Sequence, residues 1–226
     1  MRRLGGSYPV DLVAAPRGMI VLEDSHMTTI RTETTITTPG TILGTPTRPH
    51  RWTGNEQYQF LSRLAMSRYT GTQPYGVISI TDPDAPRCGL RPDPHRRGVL
   101  RLQFWDLEDE AWTGRNPIWH LDPKDKFTQS HADQIHNFVR VTRHNKLTIV
   151  HCEAGISRSS GVAAALATAA NCPDTDRYFT TPPAHPNWTV YRAVLQTLRP
   201  DLTVPARAPA GQYGPRAYRL WYEMTA

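Results

Sequence analysis

The sequence predicts an α/β fold, with a mainly parallel central sheet flanked by helices. Two observations carry that expectation. Short β-rich runs, Val77-Ile78-Ser79-Ile80 and Leu147-Thr148-Ile149-Val150, are apolar without alternation, as strands covered on both faces must be. Between and after them lie stretches whose apolar residues recur at three and four, as in helices packed on a sheet.

The elements follow in order. Residues 1–50 stand apart as a threonine-rich arm, with Pro39, Gly40, Gly44 and Pro46 as breakers, and are expected to be extended or poorly ordered. A helix is expected from about Asn55 to Tyr69, because Tyr58, Leu61, Leu64 and Ala65 fall on one face. Val77–Ile80 is a short buried strand that Asp82-Pro83 ends. Residues 82–97 form a loop rich in proline and charge. Val99–Phe104 alternates apolar and polar residues and reads as a second strand. Residues 106–126 are a long loop. Within it Trp112 and Trp119, with Trp105 just ahead, either pack the loop down or line a cleft. A helix is expected from Thr128 to about His144, with Ser130 and Asp133 as its capping box. After Leu147–Val150 comes a glycine-containing turn, then an alanine-rich helix over Gly161–Ala170. A last helix should run from Trp188 to Leu198 and stop before Pro200. The organisation expected is an arm (1–50), one domain (51–200) and a proline- and arginine-rich tail (201–226).

Composition narrows the classes of function. The chain has 226 residues, enough for one domain with a sizeable core. Its net charge is +6, and only Lys124, Lys126 and Lys146 are lysines. Arginine suits planar, bidentate contact with phosphate or carboxylate. Nucleic-acid binding would call for a dense basic patch interleaved with aromatics, and the arginines are spread out instead. Three cysteines, Cys88, Cys152 and Cys172, are too few for a disulfide scaffold and point to a reducing compartment. No apolar run reaches membrane-spanning length, and Pro9, Asp11 and Pro16 interrupt what would have to be a signal segment. A cytoplasmic protein with no membrane partner is expected. The oligomeric state is not legible.

The segment His151-Cys152-Glu153-Ala154-Gly155-Ile156-Ser157-Arg158-Ser159 follows a buried strand and opens a helix. A turn of this kind aims several backbone N–H groups at one place, which suits a tetrahedral oxyanion. Gly155 permits the tight path. Arg158 closes the loop with a guanidinium able to hold two oxygens at once. The same N–H groups and the helix dipole favour a thiolate at Cys152, which is then a nucleophile without a separate base. Ser159 can hydrogen-bond the sulfur and ease its departure. Glu153, Ala154, Gly155, Ile156, Ser157 and Arg158 form the cradle, and His151 supports the loop backbone through hydrogen bonds rather than acting as a base.

This segment resembles the signature of the protein tyrosine phosphatase superfamily: His-Cys, five residues, Arg, then Ser or Thr. The portion from Gly155 to Ser159 is similar to the dual-specificity branch, as is Pro186-Asn187 at the opening of the last helix, with Val190, Tyr191 and Leu195 after it. The resemblance covers about residues 70–198. It implies a cysteine-phosphatase-like fold with a phosphate-binding loop between strand and helix. It also implies hydrolysis of phosphate monoesters through a cysteinyl-phosphate, with phosphotyrosine, phosphoserine or phosphothreonine in a protein or peptide as substrate. It implies no cofactor and no metal, and His120, His131 and His136 do not make a metal set by spacing. It further implies an aspartate general acid on a loop upstream of the nucleophile. Asp106, directly after the strand ending at Phe104, is the first choice, with Glu110–Pro123 as an inserted loop. Asp109 and Asp122 remain alternatives. The loop lacks lysines, which argues against highly phosphorylated inositides. A nucleotide or RNA 5′-phosphate as substrate, a sulfur-transfer or arsenate-reducing enzyme, and a non-catalytic phosphate-binding module are the competing readings. Cys88 or Cys172 could trap Cys152 as a reversible disulfide.

Overall fold

The structure, a computed structural model, describes residues 20–23, 56–107, 125–173, 175, 177–180 and 183–204. In chain order the elements are β1 (Ile20–Glu23), β2 (Gln57–Ser62), α1 (Arg63–Arg68), β3 (Tyr75–Thr81), β4 (Arg96–Gln103), α2 (Gln129–Val141), β5 (Leu147–Cys152), α3 (Arg158–Ala169), α4 (Arg177–Thr180) and α5 (Trp188–Leu198). The five strands form one sheet in the order β1-β4-β3-β5-β2, and every neighbouring pair is parallel. The α/β class and the parallel sheet are therefore as the sequence predicts. Ile20–Glu23, inside the stretch set apart as an arm, pairs with Gly98–Arg101 as the edge strand β1.

β3 is the middle strand, with β4 on one side and β5 on the other, and all its residues are buried. Val77, Ile78 and Ile80 point to both faces, and Ser79 and Thr81 are buried with them, because helices lie on both faces. On one face α2 and α3 cover Ile78, Ile80, Leu100, Leu102 and Val150, and α5 packs against both helices. On the other, Met66 of α1 joins Tyr75, Val77, Val99, Leu147 and Ile149, with Leu61, Tyr69 and Leu90 at the rim. Each large side chain fully withdrawn from water contributes about 1.5–3 kcal/mol. α3 is buried almost along its whole length. Its alanines and Gly161 allow this, since a Cβ at Gly161 would lie 2.8 Å from the Asn187 carbonyl oxygen. Among the described residues, no helix is long and apolar enough to cross a membrane.

Three local expectations need correction. The helix expected over Asn55–Tyr69 is a strand followed by one short helix. Gln57-Tyr58-Gln59-Phe60 pairs with Leu147–Val150 at the sheet edge, where tertiary pairing outweighs helical spacing. Ser62 then caps α1, its hydroxyl accepting from the Ala65 N–H at 3.1 Å. The capping box of α2 is formed by Thr128 and His131, not Ser130 and Asp133, because the helix starts two residues earlier than that pairing requires. The His131 Nδ1 accepts from the Thr128 N–H at 3.0 Å. The strand expected over Val99–Phe104 begins at Arg96, where the β3 pairing starts.

In a parallel sheet all strand ends of one kind fall on one edge. Here Ser62, Thr81, Gln103 and Cys152 end β2, β3, β4 and β5. The loops at the carboxyl edge of such sheets, where the chain turns to opposite sides of one strand, are where ligands bind.

Candidate functional site

β5 ends at Cys152, and residues 153–157 turn the chain into α3. Gly155, at the apex, has φ of +73°, a left-handed conformation that disfavours any side chain. A Cβ there would also collide with the backbone of Ser62 and come within 2.6 Å of the Leu61 carbonyl carbon. The turn therefore lies directly on the end of β2. The Gly155 N–H donates to Cys152 Sγ at 3.3 Å, and Ser159 Oγ lies 3.1 Å from the same sulfur. Cys152 and Ser159 are both buried. The sequence-predicted pair is thus brought together with a backbone donor on a shared sulfur.

Ser157 stands at the N-cap of α3, but its side chain makes no capping bond. Its hydroxyl donates instead to Asp106 Oδ1 at 2.7 Å. The first turn of α3 keeps its backbone donors, and with them the positive end of the helix dipole. The Ser160 hydroxyl donates to the Ile156 carbonyl, and to the Ser157 carbonyl at 3.0 Å. The His185 N–H also donates to the Ile156 carbonyl, at 2.9 Å, and the Asn187 N–H donates to the Ser157 carbonyl at 3.1 Å. The loop carbonyls are thus held from outside, by the segment leading into α5.

Asp106 follows β4 and projects toward this loop. Besides Ser157, its Oδ1 accepts from Asn187 Nδ2 at 2.9 Å, and its Oδ2 lies 3.9 Å from Arg158 Nε. Its side chain is 35% exposed, so it sits at the surface rather than in the core. Asp109 and Asp122, with Trp112, Trp119 and His120, lie outside the described residues. Trp105 is anchored at the base of that loop, its N–H donating to the Asp125 carbonyl at 2.8 Å.

Arg158 is buried, and its Nη1 donates to Asp82 Oδ1 at 2.6 Å and to the Phe104 carbonyl at 2.7 Å. Its Nε has no hydrogen-bond partner among the described residues. Asp82 is the residue that sequence reasoning missed. It lies far from Arg158 in the chain, and the visible signal was a carboxylate directly after a central strand. In the sequence Asn187 is recognisable only as a helix opener. Its Oδ1 does cap α5 by accepting from the Val190 N–H at 3.0 Å, but its Nδ2 also ties down Asp106 and the Leu107 carbonyl, the latter at 3.2 Å.

The remaining loop residues divide. Glu153 points outward to Arg63, Nη1 to Oε2 at 3.1 Å, with its side chain 52% exposed. The Arg63 N–H meets the Glu153 carbonyl at 3.1 Å, and Arg63 Nη2 donates to the Pro86 carbonyl at 2.8 Å. Ala154 and Ile156 are half-buried. His151 is fully buried in β5, and its ring nitrogens meet no hydrogen-bond partner among the described residues. Burial lowers its pKa to about 4, with Arg101 and Arg63 pushing the same way and the nearby Cys152 backbone pushing against them. The other thiols are placed differently from each other. Cys88 Sγ lies 3.8 Å from the Arg63 carbonyl, and burial pushes its pKa up. Cys172 Sγ donates to the Glu56 carbonyl at 3.3 Å, and burial and then Glu56 raise its pKa. Glu56 precedes β2, whereas Cys152 is level with Ser62 at its other end. A strand of this length spans roughly 20 Å, so Cys172 does not reach Cys152 as a disulfide partner.

No protein-family model matches the chain, and a search of curated proteins returned no match to its sequence.

Proposed function

We propose that this chain is a cysteine-dependent phosphatase of the protein tyrosine phosphatase type, acting on phosphate monoesters, with phosphorylated peptide side chains as substrates. One observation carries the reading. Cys152 Sγ lies between the Gly155 N–H and Ser159 Oγ, on a loop that also delivers Arg158 and faces the Asp106 carboxyl. A buried cysteine with a purely packing role has no need of two polar partners at a helix start.

The chemistry would run in two displacements. The substrate phosphate enters over Cys152, its peripheral oxygens taken by backbone donors of residues 153–159 and by the Arg158 guanidinium. The thiolate attacks phosphorus in line. The new S–P bond forms as the ester P–O bond breaks, and Asp106, protonated, gives its proton to the departing oxygen. A water then attacks phosphorus and loses a proton to the Asp106 carboxylate. The S–P bond breaks, inorganic phosphate leaves, and the Ser159 hydroxyl stabilises the sulfur as it regains its charge. Ser157 and Asn187 aim Asp106 throughout. No cofactor is called for.

The test is hydrolysis of p-nitrophenyl phosphate and of a phosphotyrosine peptide in reducing buffer. The wild type should turn over both and be inhibited by vanadate. Cys152→Ser should be inactive. Asp106→Asn should lose most on the poorer leaving group. A wild type inert on every phosphomonoester would overturn the enzyme reading in favour of a phosphate-binding module.

A further inference from the structure

Two carboxylates, from different loops, approach the Arg158 guanidinium, and they take different parts of it. Asp106 Oδ2 stands off Nε at 3.9 Å, beyond hydrogen-bond distance. Asp82 Oδ1 is in direct contact with Nη1 at 2.6 Å. The Phe104 carbonyl accepts from the same Nη1 at 2.7 Å. A guanidinium nitrogen of this kind carries two hydrogens, so Nη1 is fully committed to the protein. Nε is buried and has no partner among the described residues. The Nε edge is therefore the one left without a hydrogen-bond partner among the described residues, while Asp82 and Phe104 hold the guanidinium by Nη1.

Asp82 itself is held. Its carbonyl accepts from the Ala85 N–H at 3.1 Å, closing a turn with Pro83 in its second position. Gln103 Nε2 reaches the same carbonyl at 3.4 Å. Asp82 and Phe104 each directly follow a strand, β3 and β4, at the sheet edge where β5 delivers Cys152. The clamp that orients Arg158 is thus built on the central strands rather than on the loop it serves.

We infer that Asp82 is a positioning residue, holding Arg158 by Nη1 so that the Nε edge meets the phosphate. This rests on the phosphatase reading. Asp82 touches no reacting atom and transfers no proton. Its loss should weaken anion binding and lower turnover alike on good and poor leaving groups. Asp106, by contrast, should show strong dependence on the leaving group.

The experiment measures affinity for inorganic phosphate by calorimetry, with kcat and KM on aryl and alkyl phosphates, in the full chain. The variants are Asp82→Ala, Asp82→Asn, Arg158→Ala and the Asp82→Ala/Arg158→Ala double. Asp82→Ala should weaken phosphate binding roughly 10- to 100-fold, the span of a charge-assisted hydrogen bond. Asp82→Asn, which keeps an acceptor oxygen, should recover part of it and keeps the test open if the alanine variant folds poorly. In the Arg158→Ala background the Asp82 substitution should cost nothing further. Unchanged phosphate affinity in Asp82→Ala, or the same loss with and without Arg158, would overturn the inference. So would a loss that grows with leaving-group basicity, which would make Asp82 the acid. A wild type with neither phosphate affinity nor turnover overturns the phosphatase reading and this inference together. Normal wild-type behaviour beside an unaffected Asp82→Ala overturns this one alone.

Discussion

Replacing Asn187 by alanine should cost the protein both stability and its aim on Asp106, and the two losses can be separated. The side chain is fully buried and makes three contacts. Its Oδ1 caps α5, a role worth roughly 0.5–2 kcal/mol. Its Nδ2 donates to Asp106 and to the Leu107 carbonyl, each worth roughly 0.5–1.5 kcal/mol net, the first at the lower end because Asp106 is part-exposed. The sum is about 1.5–4 kcal/mol, or a fall in Tm of roughly 3–16 °C for a chain of this size. Asn187→Ser keeps an N-cap oxygen but is too short to reach Asp106, so it should lose only about half as much stability. In kinetics the two variants should look alike. With Asp106 untied, kcat should fall more on alkyl phosphates than on p-nitrophenyl phosphate, and phosphate affinity should change little. Urea titrations give the first comparison and initial rates the second. An Asn187→Ala protein within about 0.5 kcal/mol of wild type would refute the energetic reasoning. Wild-type leaving-group dependence in both variants would refute the coupling to Asp106.

Other outcomes follow from the same geometry. Gly155→Ala should abolish phosphate binding and destabilise by more than the roughly 1–3 kcal/mol of a strained backbone, since its Cβ also meets Ser62 and Leu61; calorimetry and thermal melts check this. His151 sets an acid limit on stability. Its folded pKa of about 4 lies below the unfolded value near 6.5, so above that value it is neutral in both states and contributes no pH dependence. As pH falls the unfolded chain takes up the proton first, and stability drops by about 1.4 kcal/mol per unit down to about pH 4. His151→Gln should flatten the stability curve over that window, and equal slopes in both proteins would contradict the assignment. Glu153→Gln should change stability by less than about 0.5 kcal/mol, because its ion pair with Arg63 is exposed; a larger loss in urea titration would mean that this pair fastens the loop.

The sequence was most legible where a single physical demand dominates. β3 and β5 need apolar residues on both faces, and their continuous runs announced them. α5 begins at a capping Asn187 and ends ahead of Pro200, and its bounds matched the reading. The strand–turn–helix around Cys152 was legible because an apolar run, a glycine able to take a left-handed turn and an alanine-rich run follow one another. β2 was not, since four residues of alternation running straight into a helix mimic helical spacing, and only pairing with β5 decides between them. Asp82 was hidden for a related reason. Its role lies entirely in a contact with a residue distant in sequence, made possible by parallel strands ending on a common edge. The Ser157 and Asn187 bonds to Asp106 belong to the same class, because polar convergence across three loops has no local signature.

Under the proposed phosphatase chemistry, Cys152 carries the phosphoryl group between two displacements. Rapid quenching of the reaction with p-nitrophenyl phosphate in acid, followed by peptide mass spectrometry, reads this directly. Ser159→Ala serves as the trap, because losing the hydroxyl should slow departure of the sulfur and let the intermediate accumulate. One phosphoryl group is expected on the peptide containing Cys152, formed in a burst of p-nitrophenol, and none in Cys152→Ser. Turnover that survives in Cys152→Ser, or a phosphoryl group on any other residue, would contradict it.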